Sequence, residues 1–294
     1  MTARVGDGSA RGDPLLILAG GGRFPLLVAE AATARGRPVT IAAIREEADP
    51  EVAKFDHVWL GRGHLGRLLK LARRTGAREL VIIGHMRQRR MPRLSEIDLV
   101  DIAVVLRHWR LLSRGDDGVL RRLARLFEAK GLTVVGADRV APELVMPTGA
   151  LGRVVPDAAA LADIAVGRAA AAEHGRTDIG QGVIVVDGAV ARAEGPAGTD
   201  AMIAAHAAER PAGAPARGVL VKRPKPIQDL RLDMPAIGPD TVRAATAAGL
   251  AGIAVEAGGT LVADRAELVR AADAAGLFVW GFDPRGDDPE GTAA

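Results

Sequence analysis

Short apolar runs alternate with helix-patterned stretches along the first half of this chain, and that alternation limits the fold more than any other feature of the sequence. Pro14-Leu-Leu-Ile-Leu-Ala-Gly, Pro38 to Ile44, His57-Val-Trp-Leu and Glu79 to Gly84 read as strands. Phe24 to Arg35, with Pro25 in its first turn, and Leu65 to Thr75 read as helices set among them. Helices at Leu99 to Leu112 and Gly118 to Lys130 and a strand at Leu132 to Gly136 extend the series. Strands that are apolar throughout bury both faces, and helical crossovers join parallel neighbours. The expectation is an α/β fold whose N-terminal, nucleotide-side domain, residues 14–141, is a Rossmann-like parallel sheet of doubly wound type.

The texture changes at Pro142 to Val155, where proline, glycine and isolated apolar residues predict a linker. A length of 294 residues accommodates two domains, so a second α/β domain with a mixed sheet is expected over residues 156–284. It opens with an alanine-rich helix, Ala158 to His174, and Gly182 to Ala193 reads as a hairpin turning at Asp187-Gly188. A helix starting near Thr199, with Thr199 or Asp200 as its cap, comes next. Pro239 to Ala248 and Arg265 to Ala275 read as helices, Ala251 to Val255 and Leu277 to Gly281 as strands. Residues 1–13 and 285–294 are polar and read as a disordered leader and tail. Because chemistry-bearing motifs fall in both halves, the site is expected between the two domains.

Lys222 to Gly238, K-R-P-K-P-I-Q-D-L-R-L-D-M-P-A-I-G, carries the most chemistry. Pro224, Pro226 and Pro235 fix their own φ and bias the preceding residues towards extended geometry, which predicts a rigid, extended arm. The arm presents Lys222, Arg223, Lys225, Gln228 and Arg231 beside Asp229 and Asp233. Cations suit phosphate and carboxylates suit Mg²⁺ or Mn²⁺, so the mixture suits a phosphoanhydride held with a metal. A solvated, proline-rich surface loop is the alternative.

Composition removes several classes. With no cysteine there are no disulfides, no thiolate catalysis and no cysteine-held zinc or iron–sulfur site. Aromatic residues are 3% of the chain and tyrosine is absent, which argues against nucleic-acid partners bound by base stacking. Lys+Arg 39 against Asp+Glu 36 leaves only a mild bias towards anionic ligands or an anionic surface. No run approaches the ~18 apolar residues of a membrane span. The chain therefore reads as cytoplasmic, meeting lipid only peripherally, from the water side. The six histidines lack metal-ligand spacing, and neither a G-x-S-x-G elbow nor a Walker loop is present.

Other motifs stay open between site and scaffold. Leu18-Ala-Gly-Gly-Gly-Arg-Phe-Pro joins the first strand to the first helix, and Gly20, Gly21 and Gly22 either approach a nucleotide phosphate or make a tight turn. A dinucleotide fingerprint is half met, because Pro25 stands where the third glycine belongs. Gly84-His-Met-Arg-Gln-Arg-Arg places His85, Arg87 and Arg90 at a strand's carboxyl end, as an anion site or a basic loop. Arg114-Gly-Asp-Asp-Gly reads as a metal loop or a turn with a helix cap. In Thr177-Asp-Ile-Gly-Gln-Gly, Asp178 and Gln181 stand where a strand starts and can orient a ligand.

Taken in order, L-A-G-G-G-R-F-P, R-G-D-D-x-x-L-R-R, D-I-G-Q-G, G-T-D-A-M, K-x-P-K-P-I-Q-D-x-R-x-D-x-P-x-I-G, A-G-L-A-G-I-A-V-E-A-G and G-L-F-V-W-G resemble the LpxI family, from about Leu15 to Pro284. The resemblance implies a two-domain UDP-2,3-diacylglucosamine pyrophosphatase of lipid A biosynthesis with substrate enclosed between the domains. Such an enzyme hydrolyses UDP-2,3-diacylglucosamine to UMP and 2,3-diacylglucosamine 1-phosphate with a divalent cation, Mg²⁺ or Mn²⁺. It also implies that Asp233, the aspartate of R-x-D-x-P-x-I-G, is required for turnover.

On that reading Asp233, with Asp200 second, holds the metal or orients water; Lys222, Lys225 and Arg231 bind pyrophosphate; Gln228 and Gln181 orient substrate; and Gly20 to Gly22 face the UDP part. Asp178, His85 and Arg87 complete the expected substrate contacts. The acyl chains need an apolar trough in the second domain. Where relatives commonly read E-G-T-D-A-M, this chain has Ala197, so Asp200 or Glu194 would make good a missing carboxylate. Gly84-His-Met-Arg-Gln-Arg likewise departs from the relatives' frequent G-N/K-V-x-R-P. A nucleotide-sugar or acyl-lipid binding protein without turnover is the alternative.

Overall fold

The computed structural model describes residues 12–86, 116–211 and 213–285. The chain divides into two compact units, Met1–Ala141 and Pro142–Ala294. The expected helix Leu99 to Leu112, together with Arg87, Arg90, Arg114 and Gly115, lies outside the described residues.

The first unit runs β1 (Leu15–Ala19), α1 (Phe24–Ala34), β2 (Val39–Ile44), β3 (Asp56–Leu60), α2 (Leu65–Thr75), β4 (Glu79–Ile83), α3 (Asp116–Glu128), β5 (Thr133–Val134) and α4 (Ala137–Val140). Its strands form one parallel sheet in the order β3-β2-β1-β4-β5. The chain winds outward from β1 in one direction and then restarts beside β1 with β4, so the topological switch point falls between β1 and β4. Leu15, Leu16, Ile17, Ile41, Leu80 and Val81 are at most 1% exposed, as a sheet covered on both faces requires.

The second unit adds β6 (Gly149–Ala150), α5 (Ala158–Gly175), β7 (Gly182–Val186), β8 (Ala189–Ala193), α6 (Gly198–Glu209), β9 (Val219–Lys222), β10 (Ala236–Ile237), α7 (Pro239–Ala247), β11 (Gly252–Glu256), β12 (Leu261–Val262), α8 (Arg265–Ala275) and β13 (Phe278–Phe282). A six-stranded mixed sheet has the order β6-β13-β11-β9-β7-β8, in which β9, β11 and β13 are parallel and β7 is antiparallel to β9. Strand alternation sends Ile184, Leu220, Ile253 and Val279 to a core shared with α6, α7 and α8. The intervening residues Val183, Val221, Ala254 and Phe278 pack with Ile164 and Ala171 of α5 on the other face. The hairpin turns at Asp187 and Gly188, both at positive φ, and Asp163 of α5 pins it by accepting from the Gly188 N–H at 2.6 Å.

Two expectations change. The stretch 142–155 folds with the second unit rather than standing apart as a linker: Met146 is 1% exposed, and Gly149–Ala150 pairs with β13. The arm is not extended. Lys222 ends a buried strand, and beyond it the chain closes into successive turns, with Gln228 N–H donating to Lys225 O, and Leu232 and Asp233 N–H both donating to Asp229 O. Pro226 fits the turn-initiating position of Lys225 to Gln228, where a fixed φ and a missing N–H cost nothing.

Candidate active site

The carboxyl ends of β9, β11 and β13 form one edge of the second sheet, the edge at which open α/β sheets take ligands. β7 runs the other way, so its amino end meets the same edge and Gly182 pairs with Lys222. β8 brings Glu194 there too, since its N–H donates to Gly182 O at 2.9 Å. Sheet register alone thus collects Gln181, Glu194 and Lys222.

Lys222 is 6% exposed and points to the α6–α8 face of the sheet. Burial pushes its ammonium below the ordinary lysine value, against the pull of the carboxylates of Glu194, Asp200 and Asp233. Glu194 acts first among the three, and it is itself 8% exposed. One of its oxygens accepts from Gln181 N–H (2.9 Å), the other from Thr199 Oγ1 (2.9 Å). Its backbone oxygen accepts from His174 Nε2 at 2.6 Å, at the end of α5. The glycines of D-I-G-Q-G make room for this arrangement. A Cβ on Gly180 would stand 2.5 Å from Glu194 O, and one on Gly182 would stand 3.2 Å from Glu194 Oε2 and 3.3 Å from Lys222 Cγ.

Asp233 and Asp200 complete the group from its solvent side. Asp233 accepts from Gln228 Nε2 at 2.6 Å, which orients the carboxylate. Asp200 stands in the first turn of α6, where a negative charge is favoured. It does not cap that helix, and neither does Thr199: Ala197 occupies the cap position without a side-chain bond, because the Thr199 hydroxyl is spent on Glu194. Lys225 bridges to Asp178 at 2.8 Å, tying the arm to the loop after α5, and Arg231 pairs with Asp229 at 2.8 Å. Gln181 keeps its backbone in the ladder, its oxygen accepting from Arg223 N–H at 3.1 Å, while its side-chain Oε1 is buried with no partner among the described residues.

On the opposite, α5-facing side, Arg223 Nη2 lies 2.9 Å from Glu256 Oε2. Burial raises the Glu256 carboxyl above its ordinary value, against the pull of Arg223 and Arg168. Sequence reasoning did not single out Glu256, although it stands inside A-G-L-A-G-I-A-V-E-A-G.

In the first unit the loop after β1 meets the end of β4. Gly21 and His85 form an antiparallel bridge, with Gly21 N–H donating to His85 O at 2.7 Å and His85 N–H to Gly21 O at 3.0 Å. The His85 ring covers the glycines: a Cβ on Gly21 or on Gly22 would come within 3.0 Å of a ring nitrogen, and one on Gly20 would stand 2.8 Å from His85 O. The glycines therefore allow a close approach of protein to protein at the switch point. Nearby, Arg62 and Glu47 form a buried ion pair.

The chemistry of the donor set fits a hard divalent cation. Among the described residues no three histidine, aspartate or glutamate side chains cluster so as to cage an ion. Mg²⁺, however, is commonly held by one or two carboxylates with substrate phosphate and water completing its shell, and Asp233 and Asp200 supply that number. No helix among the described residues is long and apolar enough to cross a membrane.

Comparison with known proteins agrees with this architecture. The family model for the LpxI N-terminal domain matches residues 14–144 and that for the LpxI C-terminal domain matches residues 147–280. A protein of Caulobacter vibrioides, named UDP-2,3-diacylglucosamine pyrophosphatase LpxI, is 38% identical over 278 residues, covering 92% of this chain and 97% of its own length. The chain belongs to the LpxI family.

Proposed function

We propose that this chain hydrolyses the pyrophosphate of UDP-2,3-diacylglucosamine in lipid A biosynthesis, releasing UMP and 2,3-diacylglucosamine 1-phosphate. Water adds to one phosphorus, the bridging P–O bond breaks, and the bridging oxygen leaves with the other phosphate. The observation that carries the reading is the buried Lys222 set among Glu194, Asp200 and Asp233, on the segment shared with the pyrophosphatase relative.

Phosphoanhydride hydrolysis needs charge neutralisation and an oriented water more than covalent chemistry. Asp233, held by Gln228, accepts a hydrogen bond from the attacking water and fixes its direction. Lys222, buried beneath the carboxylates, attracts them and helps hold them in place. Lys225 and Arg231 stand on the same segment and exchange their present carboxylate partners for phosphate oxygens when substrate arrives. Asp233 and Asp200 would hold a divalent cation, Mg²⁺ or Mn²⁺, which when bound would supply further neutralisation of the phosphate charge. The protein works at the cytoplasmic side of the inner membrane, meeting lipid peripherally.

The test is to incubate the purified protein with UDP-2,3-diacylglucosamine and Mg²⁺ or Mn²⁺ and to identify the nucleotide released. UMP is expected. UDP would mean that the sugar–oxygen bond breaks instead, and retention of intact substrate would make this a binding protein.

A further inference from the structure

We infer that Arg223 and Glu256 form a positioning pair for Lys222, an inference that rests on the hydrolytic reading of the site. The argument begins where β9 ends. Lys222 is its last residue, and one more main-chain bond, from Arg223 N–H to Gln181 O, continues the ladder before Pro224 removes a donor and the chain turns away. Beyond that bond a side-chain contact at Arg223 is what remains to reinforce the backbone orientation at the strand's end. Strand alternation makes Lys222 and Arg223 complementary: with Arg223 held on the α5 face, Lys222 is committed to the opposite face, towards Glu194, Asp200 and Asp233.

Glu256 does the holding. Val255 pairs with Lys222 in the parallel ladder, so Glu256 comes beside Arg223, and their charges meet at 2.9 Å. The carboxylate is boxed in, because a Cβ on Gly259 would lie 2.9 Å from Glu256 Oε1 and 2.9 Å from Pro224 Cγ. Behind it stands Arg168 of α5, whose guanidinium donates to Asp283 O at 2.8 Å and lies 5.1 Å from the centre of the Phe282 ring.

Stability does not account for this pair. Its one close contact, Arg223 Nη2 to Glu256 Oε2 at 2.9 Å, leaves Arg223 Nε buried without a hydrogen-bond partner among the described residues. A largely buried ion pair with unmet hydrogen bonds gains little over an apolar pair of the same size. What it does provide is orientation at the one place where the ladder stops.

A double-mutant cycle tests the inference, using Glu256→Gln, Lys222→Met and the two combined, with kcat and KM for UMP release and thermal melting measured on each. Glu256→Gln is expected to lower kcat by about tenfold or more, with KM moving less than about threefold and the melting midpoint shifting by no more than a few degrees. In the Lys222→Met background the same change is expected to cost less than about threefold, because its target is gone. Equal costs in the two backgrounds, or a melting loss that accounts for the fall in activity, would overturn the proposal. If the wild type binds substrate but releases no UMP, the hydrolytic reading is what fails. The same cycle is then read in the Kd for substrate, where coupling between the two substitutions supports the pair and additivity refutes it.

Discussion

Removing the Glu194 side chain tests the organisation of the site most sharply. In Glu194→Ala the buried Lys222 loses the carboxylate that acts on it most strongly, while Gln181 N–H and Thr199 Oγ1 lose their acceptor. Leaving the two donors without an acceptor costs about 1–3 kcal/mol each, and the weaker attraction on the desolvated Lys222 adds to it, about 3–5 kcal/mol together. At roughly 2–4 °C per kcal/mol for a unit of this size, melting should fall by about 6–20 °C. Part of the loss has a pH signature. Lys222 titrates below 10.5 in the folded protein, and without Glu194 it titrates lower still. Below both folded values the lysine is charged in wild type and variant alike, and the stability gap is fully present. As pH rises through the interval between the two folded values the lysine becomes neutral in both proteins, and the charge-dependent part of the gap closes. Urea unfolding over a pH series, with hydrogen exchange read on the amides of β7 and β9, measures this locally. A loss under about 1 kcal/mol at pH 7 would show that Lys222 does not depend on Glu194. A larger loss that is flat with pH would assign the cost to the two hydrogen bonds alone.

Asp233→Ala should lower kcat by about two decades or more, some 3 kcal/mol of transition-state stabilisation, while substrate retention on the protein persists; a variant keeping more than about a third of wild-type kcat would remove Asp233 from the chemistry. Lys225→Ala, in contrast, should weaken substrate binding as well as turnover, which calorimetric titration and kinetics on the same preparation will separate. Exhaustive treatment with EDTA should abolish UMP release and added Mg²⁺ or Mn²⁺ should restore it; full activity in the chelator would exclude the proposed cation. Gly180→Ala forces a Cβ to within 2.5 Å of Glu194 O, and should cost about 1–3 kcal/mol in urea unfolding together with a loss of turnover.

The helices and the longer strands were legible because each carries a repeat of its own: Leu65–Thr75 and Arg265–Ala275 were read to the residue from their periodicity. Pieces that exist only through pairing were not. Val219–Lys222 is a four-residue strand immediately followed by Arg223-Pro224, and the proline-rich run beyond it drew attention to extended geometry. Its hydrogen bonds come from β7 and β11, and no local pattern places those two strands beside it. Gly149–Ala150 was taken for linker for the same reason, since its partner is β13, 130 residues further on. In the arm, the three prolines were read for the dihedral they impose, but Pro-Lys-Pro and the following Gln-Asp are equally turn formers, and hydrogen bonds to Lys225 O and Asp229 O decided the outcome.

The candidate site shows the same division. Asp233, Asp200, Gln181 and the lysines were named from residue type and family resemblance, and the second sheet's edge draws Asp233, Asp200, Gln181 and Lys222 to one place. Glu194 entered only as a substitute ligand, although a signal for its place was available. A hairpin turning at Asp187-Gly188 sets Val186 opposite Ala189, which locates Glu194 near Gln181 to within one residue; a bulge between Ile184 and Val185 then shifts the register so that Val183 faces Ala193 and Glu194 meets Gly182. Glu256 had no such signal, because a parallel strand's neighbour is fixed by crossover topology rather than by a turn. That contrast separates two kinds of site residue. Groups brought together by an antiparallel hairpin can be located from the turn, whereas groups brought together across parallel strands, such as Glu256 and Arg223, require the strand order. Two consecutive cations illustrate the consequence: Lys222 and Arg223 look equivalent in sequence, yet the pleat sends one towards Glu194, Asp200 and Asp233 and the other to Glu256 on the opposite face.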